Sequence, residues 1–412
     1  MSLRHDPFAA LRIKEFQYFI LGRLLFITGL RMMSTVVAWW LYETTRDPFA
    51  IGLIGLAEVI PAVGLALYAG HIIDNNERTG ILKKSVLLYS LVTFLMFLLS
   101  TTLIQSHALE RTWIAGIYIL IFLTGAIRAF SGSAFQALLG QLIPFNILPN
   151  AITWSSGTWL ISSIIGHAAG GFLIAAIAVK GALLISFLSI AAACIVIWNI
   201  TPKPIPESKK HATTWSSVKE GLSFVMNTKD LLACMTLDLL AVLFGGAVAM
   251  IPAFAKDILN VGPTAFGWLN AATDIGSMIT VTTLTLSPLR RNQGKILLLA
   301  VAGFGVSIIV FALSRSYLLS FTALFVSGML DGISAIVRGT IVQLKTPNEI
   351  KGRVMSVNSM FVNSSNEFGQ FESGLAAKMF GLVPSVVFGG GMTILVVLTT
   401  WFKAPSLRKL EY

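Results

Sequence analysis

Lys295-Ile-Leu-Leu-Leu-Ala-Val-Ala-Gly-Phe-Gly-Val-Ser-Ile-Ile-Val-Phe-Ala-Leu-Ser-Arg315 sets one unbroken apolar run between two basic residues. At about 1.5 Å per residue, a helix over this run is roughly 27 Å long, close to the hydrocarbon thickness of a bilayer. Working outward with a window of about 20 residues, the same pattern predicts helices near 16–41, 50–73, 82–104, 113–135, 151–178 and 181–200. A second set follows near 231–255, 264–287, 295–314, 317–339, 352–378 and 383–402. The expected fold is an all-α integral membrane protein of twelve transmembrane helices in two pseudo-symmetric halves of six. The expected division is 1–200, a linker at 201–230, and 231–412.

Composition agrees with this reading. The 412 residues are 55% hydrophobic and only 12% charged, about half the charged share of a soluble domain. Mean hydropathy is +0.79. No soluble core buries that much apolar sequence. The net charge of +11 would suggest a polyanion partner for a soluble chain. In a membrane protein, basic loops retained on the cytoplasmic side account for it, so no nucleic acid is expected. Cys194 and Cys234 fall in or beside apolar segments and form neither a disulfide framework nor a metal spacing. The polar start Met1-Ser-Leu-Arg4-His-Asp6 lacks the plan of a signal peptide.

Orientation follows from counting basic residues by loop. Twenty lysines and arginines share a side with the N-terminus; the opposite side holds six, Arg46, Arg111, Lys180, Lys256, Arg315 and Lys378. Both termini are therefore expected in the cytoplasm. The linker, with Pro202, Pro204, Pro206, Glu207, Lys209, Lys210 and His211, ends in the amphipathic stretch Trp215–Val225. Such a stretch is expected to lie on the membrane surface.

Polar residues inside the spans mark a polar pathway through the bundle. Beyond their cytoplasmic ends, the third, sixth, ninth and twelfth spans carry no charge, so every third helix is expected to face lipid. The other eight hold Arg23, Arg31, Glu58, Arg128, His167, Asp238, Asp274, Asp331, Arg338, Glu367 and Glu372. A charge at mid-bilayer costs at least about 2.5–3.5 kcal/mol and therefore faces the bundle interior or a water-filled cavity. Arg31, Glu58 and Asp274 lie nearest the middles of their helices, where a carboxyl can release and rebind a proton. Glu58 or Asp274 is the expected proton carrier, with Arg31 as charge partner or substrate anchor and Asp238, Asp331 and Glu367 next in line. The structural alternatives are a permanently protonated, hydrogen-bonded acid, an Asp331–Arg338 ion pair, snorkelling of Arg23, Arg128 and Arg338, and a packing role for His167. Gly132-Ser-Ala-Phe-Gln136 and Gly339-Thr-Ile-Val-Gln343 close corresponding helices, and Glu58 and Asp274 sit in corresponding second helices. This matches a duplicated six-helix unit.

The turn after the second span reads Gly70-His-Ile-Ile-Asp74-Asn-Asn-Glu-Arg78. With the six-plus-six plan, it resembles the Gly-x-x-x-Asp-x-x-x-Arg signature of the major facilitator superfamily. The corresponding loop Ser287-Pro-Leu-Arg290-Arg291-Asn-Gln-Gly294 keeps the arginines without the aspartate. Glu220-Gly221-Leu-Ser-Phe-Val, Ile251-Pro252-Ala-Phe254-Ala and Pro347-Asn-Glu-Ile-Lys351-Gly352-Arg353-Val354-Met355-Ser356 resemble the enterobactin-exporter-like branch. The likeness runs essentially full length. Exporters of this kind carry Gly-Pro-x-x-Gly-Gly in the fifth span; here Gly166-His167-Ala-Ala-Gly170-Gly171 has histidine in place of the proline.

The resemblance implies proton-coupled efflux of a small amphiphilic or siderophore-like molecule by alternating access in a bacterial inner membrane, by a monomer. Gly70, Asp74 and Arg78, far from the midplane, are expected to govern conformational switching. An importer of the same fold is the nearest alternative. A non-transporting receptor or scaffold would need a larger soluble region than the linker provides. No phosphate loop, His-Glu-x-x-His or Gly-x-Ser-x-Gly occurs, so neither ATP, any other cofactor nor enzymatic chemistry is expected.

Overall fold

A computed structural model describes residues 6–101, 106, 109–204, 214–287, 289, 291–347 and 350–411. Arg4, Pro206, Glu207, Lys209, Lys210, His211, Arg290, Asn348 and Glu349 lie outside these residues, as does the Asp74 side chain. The described residues form helices and no strand. These are α1 (Lys14–Thr45), α2 (Pro48–Asn75), α3 (Arg78–Leu99) and α4 (Glu110–Leu142). The run Leu148–Trp198 breaks at Ile177 and at Ala178, whose φ is +58°; this yields α5 (148–176) and α6 (179–198). The short α7 (Thr214–Asn227) precedes α8 (Lys229–Phe244), α9 (Pro263–Leu286) and α10 (Gln293–Leu313). Then come α11 (Tyr317–Lys345), α12 (Lys351–Phe380), α13 (Leu382–Lys403) and α14 (Pro405–Arg408).

Nine described helical runs are long and apolar enough to cross a bilayer. One of them, Phe145–Trp198, holds two spans, and the more polar α9 and α12 complete the expected twelve. Most helices overrun the apolar windows, α4 by several residues at its C-terminal end, because backbone hydrogen bonding continues where side-chain hydropathy has already fallen. The seventh span departs from the expected continuous helix. After Gly245 it passes through a 3-10 turn (Gly246–Met250), Ile251–Ala253 and a π-turn (Phe254–Ile258).

Packing divides the chain into two compact units, Met1–Val37 with Ile60–His211 and Ala38–Val59 with Ala212–Tyr412. The hairpin at the end of α1 and the start of α2 thus packs with the second unit, although it lies in the first half of the sequence.

In the first unit α5 lies against α1 through glycines. A Cβ at Gly166 would stand 2.6 Å from Arg31 Cβ and 2.7 Å from the Thr28 carbonyl. One at Gly170 would stand 3.1 Å from Thr35 Cβ. Small residues four apart let two backbones approach this closely. Phe16, Phe19, Phe26, Tyr89 and Phe135 form an aromatic chain through the core.

In the second unit α9 and α11 interlock. Ser277 donates to the Gly328 carbonyl at 2.9 Å and Thr280 to the Met329 carbonyl at 3.0 Å. Leu231, Cys234, Leu297, Val337, Ile341, Val354 and Leu407 share one buried cluster. Val225 of α7 joins it, whereas Leu222 and Met226 remain exposed. The amphipathic helix therefore sends part of its apolar side into protein, fixed by an ion pair from Glu220 to Arg353.

Leu87 and Leu91 of α3, Leu188 and Ile195 of α6, Leu299 and Val306 of α10, and Leu395 and Leu398 of α13 are exposed. Large apolar side chains on these helices, whose charged residues are confined to one end, suit a lipid-facing surface.

Candidate functional site

Arg31 lies near the middle of α1 with its guanidinium 5.3 Å from the ring centre of Trp159 on α5. The seam around it is ordered by hydrogen bonds. The Thr35 hydroxyl donates to the Arg31 carbonyl at 2.9 Å and lies 2.7 Å from Nδ1 of His167. His167 is therefore part of the α1–α5 contact, in keeping with the packing reading. The Arg23 guanidinium lies 5.3 Å from the Phe135 ring centre, and its Nε is buried with no hydrogen-bond partner among the described residues.

The turn carrying the superfamily signature is tighter than its sequence suggests. Gly70 and Asp74 belong to the last turns of α2, only Asn76 and Glu77 intervene, and Arg78 opens α3. Arg78 donates to the Ala137 carbonyl of α4 at 3.2 Å, so it fastens two helix ends.

The second unit gathers the carboxylates. On α2, Gly55 packs on α12: a Cβ there would stand 2.5 Å from the Glu367 carbonyl and 2.8 Å from Gln370 Oε1. Glu58 follows one turn later, so two of the sequence-selected acids sit on helices in close contact. Asp274 sits on α9 beside Thr273, whose backbone meets Gly328 of α11, three residues before Asp331. Asp331 occupies the centre of α11 and its side chain is exposed. Asp331 and Arg338 do not pair. Among the described residues Arg338 forms its ion pair with Asp238 of α8, because the neighbouring helix offers a carboxylate at the guanidinium's own level. Asp238 is thereby taken up in a structural contact.

Two features were not found from sequence. The first is the break in the seventh span, where the backbone of Gly369 on α12 packs against Gly246; a Cβ at Gly246 would stand 2.6 Å from its carbonyl. Interrupted helices are where transporter sites are commonly built, and Gly245-Gly246 followed by Pro252 was the available signal. The second is a set of ion pairs at the α1–α2 turn. Lys256 reaches Glu43 at 2.6 Å, Arg46 reaches Asp257 at 3.2 Å, and Lys378 reaches Asp47 at 2.9 Å. The Tyr42 hydroxyl also donates to Asp257. Acid and base alternate in Glu43-Thr-Thr-Arg46-Asp47 and Lys256-Asp257, a signal that the distribution of basic residues alone does not show. No group of three or more metal-ligating side chains occurs among the described residues.

Comparison with known proteins agrees with this architecture. The chain is 24% identical over 390 residues to the enterobactin exporter EntS of Shigella flexneri, covering 93% of this chain and 90% of that one. It is 23% identical over 375 residues to the MFS-type transporter YfiS of Bacillus subtilis (strain 168), covering 87% and 85%. Among solved structures, the nucleoside transporter NupG shares the fold with a TM-score of 0.76 at 12% identity, over 97% of this chain and 100% of that chain. A D-xylose-proton symporter does so at 0.74 and 10%, over 96% and 99%. The model of the family described as transmembrane secretion effectors matches residues 5–411. The chain therefore belongs to the transmembrane secretion effector family of the major facilitator superfamily, and it is a multi-pass membrane transporter rather than an enzyme.

Proposed function

We propose that the chain is a proton-coupled exporter of a small amphiphilic or siderophore-like molecule, working as a monomer by alternating access, with both termini in the cytoplasm of a bacterial cell. The observation that carries coupling is Asp331, an exposed carboxylate at the centre of a membrane-spanning helix. Such a group is stable there only beside water or a polar pathway. Asp274 on the interlocked α9, and Glu58 and Glu367 on packed α2 and α12, are the other candidate carriers. Asp238, paired with Arg338, drops behind them. Export is favoured by the likeness to the enterobactin exporters. An importer has one observation in its favour, His167 standing where exporters of this kind carry a proline. Gly70, Asp74 and Arg78 are assigned to conformational switching, and Asp74→Asn should slow transport while leaving substrate affinity within a few-fold.

The test is transport in proteoliposomes, with enterobactin as the first substrate tried. Glu58→Gln, Asp274→Asn and Asp331→Asn mimic the protonated carboxyl. Substitution of the carrier should abolish accumulation driven by a pH gradient and spare substrate exchange. Unimpaired uphill transport in all three variants and in their combination would refute this assignment. Accumulation in right-side-out rather than inside-out vesicles would reverse the direction.

A further inference from the structure

We infer that Arg31 and Trp159 form an anchor for an organic anion, so that the transported molecule carries an oxyanion beside a flat apolar ring. This deepens the transport reading above and rests on it. Arg31 is half-buried near the middle of α1. Its guanidinium lies 5.3 Å from the Trp159 ring centre, and among the described residues it makes no ion pair. A guanidinium stacked on an indole still presents its edge, a planar fork of N–H donors matched to a carboxylate, sulfonate or phosphate. None of those donors is engaged in a described hydrogen bond within the protein. By contrast, Arg338 is taken up by Asp238.

Two further observations separate this group from a simple packing cation. The described acids of the first unit, Asp6, Glu15, Asp74, Glu77 and Glu110, all lie in loops or near helix ends, so none of them sits mid-helix as Arg31 does. A charge in that position needs a counter-ion. The base of the anchor is also tightly packed. Gly166 brings α5 onto the Arg31 Cβ, and Thr35 ties the Arg31 carbonyl to His167, which fixes the backbone from which the Arg31 side chain reaches Trp159. Trp159 is itself 37% exposed, leaving part of its indole open to a ligand ring.

The probes are naphthalene-2-carboxylate, naphthalene-2-methanol and naphthalene-2-methylammonium, one ring with three charges. Each is titrated against the purified full-length protein in nanodiscs while the melting temperature is followed. The carboxylate should half-saturate at a concentration at least about tenfold lower than the alcohol, with the ammonium weakest. Arg31→Gln should erase that preference, and Arg31→Lys, which keeps charge without the fork, should retain part of it. The inference is overturned if the alcohol or ammonium matches the carboxylate, if no probe shifts the wild type, or if Arg31→Gln keeps the preference. The wild-type ranking stands as a test even if a variant does not fold. Anion binding without any transport would sink the transport reading alone. Transport of enterobactin by a protein that shows no anion preference would sink this inference alone.

Discussion

Arg338 of α11 is paired with Asp238 of α8 inside the second unit, with only 13% and 9% of their side chains exposed. Cys234, one turn before the aspartate, is fully buried beside it. The pair therefore acts as a fastener between two helices in a place where neither charge has ready access to water. Its energetics are asymmetric: removing one partner strands the other, whereas removing both need not.

A double-mutant cycle should show that asymmetry. Arg338→Met or Asp238→Leu alone should cost about 3–5 kcal/mol. The double variant should recover most of the loss. The measurement is reversible unfolding in mixed micelles, and equal losses in the single and double variants would mean that the pair is not a buried unit.

The ion pairs at the α1–α2 turn should behave differently. The Arg46–Asp257 and Lys378–Asp47 partners are between 35% and 56% exposed, and such pairs contribute about 0–1 kcal/mol each. Lys378→Ala should thus lower the melting temperature by only a few degrees. The difference from wild type should shrink as salt is raised from 0.05 to about 0.5 M. A large loss independent of salt would point to the Lys378 contact with the Phe49 ring, 4.9 Å away, as the main effect.

Close backbone contact makes Gly55 intolerant. Gly55→Val would drive a branched side chain into the Glu367 carbonyl and Gln370, and overpacking of this kind costs about 1–3 kcal/mol or more. Gly64 has open space around its Cβ position, so Gly64→Ala is the control. Folded yield on size-exclusion chromatography should fall for the first variant and stay level for the second.

The segment after α13 is part of the second unit's core. Leu407 and Leu410 are buried, the Gly294 amide donates to the Leu410 carbonyl at 3.1 Å, and the Asn292 amide donates to Glu411 at 3.1 Å. Glu411 thus brings a carboxylate to the loop that lacks the aspartate of its first-half counterpart. Deleting residues 405–411 should destabilise the protein by several kcal/mol, at about 1.5–3 kcal/mol per buried leucine. Glu411→Gln alone should cost about 1 kcal/mol, the scale of one hydrogen bond. Thermal unfolding of the two variants distinguishes these magnitudes.

Topology is open to direct labelling. Single cysteines at Lys203 and Arg111, in a background without Cys194 and Cys234, should react with a membrane-impermeant maleimide from opposite sides. Labelling of both from one side would contradict the orientation read from the basic loops.

The hydropathy windows alone determined the number of spans and their approximate bounds. In a bilayer each helix satisfies its own backbone, so these properties reside in local stretches of sequence. Tertiary structure decided what residues on different helices do to one another. Asp331 and Arg338 share a helical face in sequence, yet they stand about 10 Å apart along the axis, and Arg338 instead meets Asp238 on α8. The pairing of Arg31 with Trp159, the docking of Gly55 on Glu367, and the transfer of residues 38–59 to the second unit likewise depend on interhelical register. That register is set by where glycines let backbones touch, and no periodicity within a single helix encodes it.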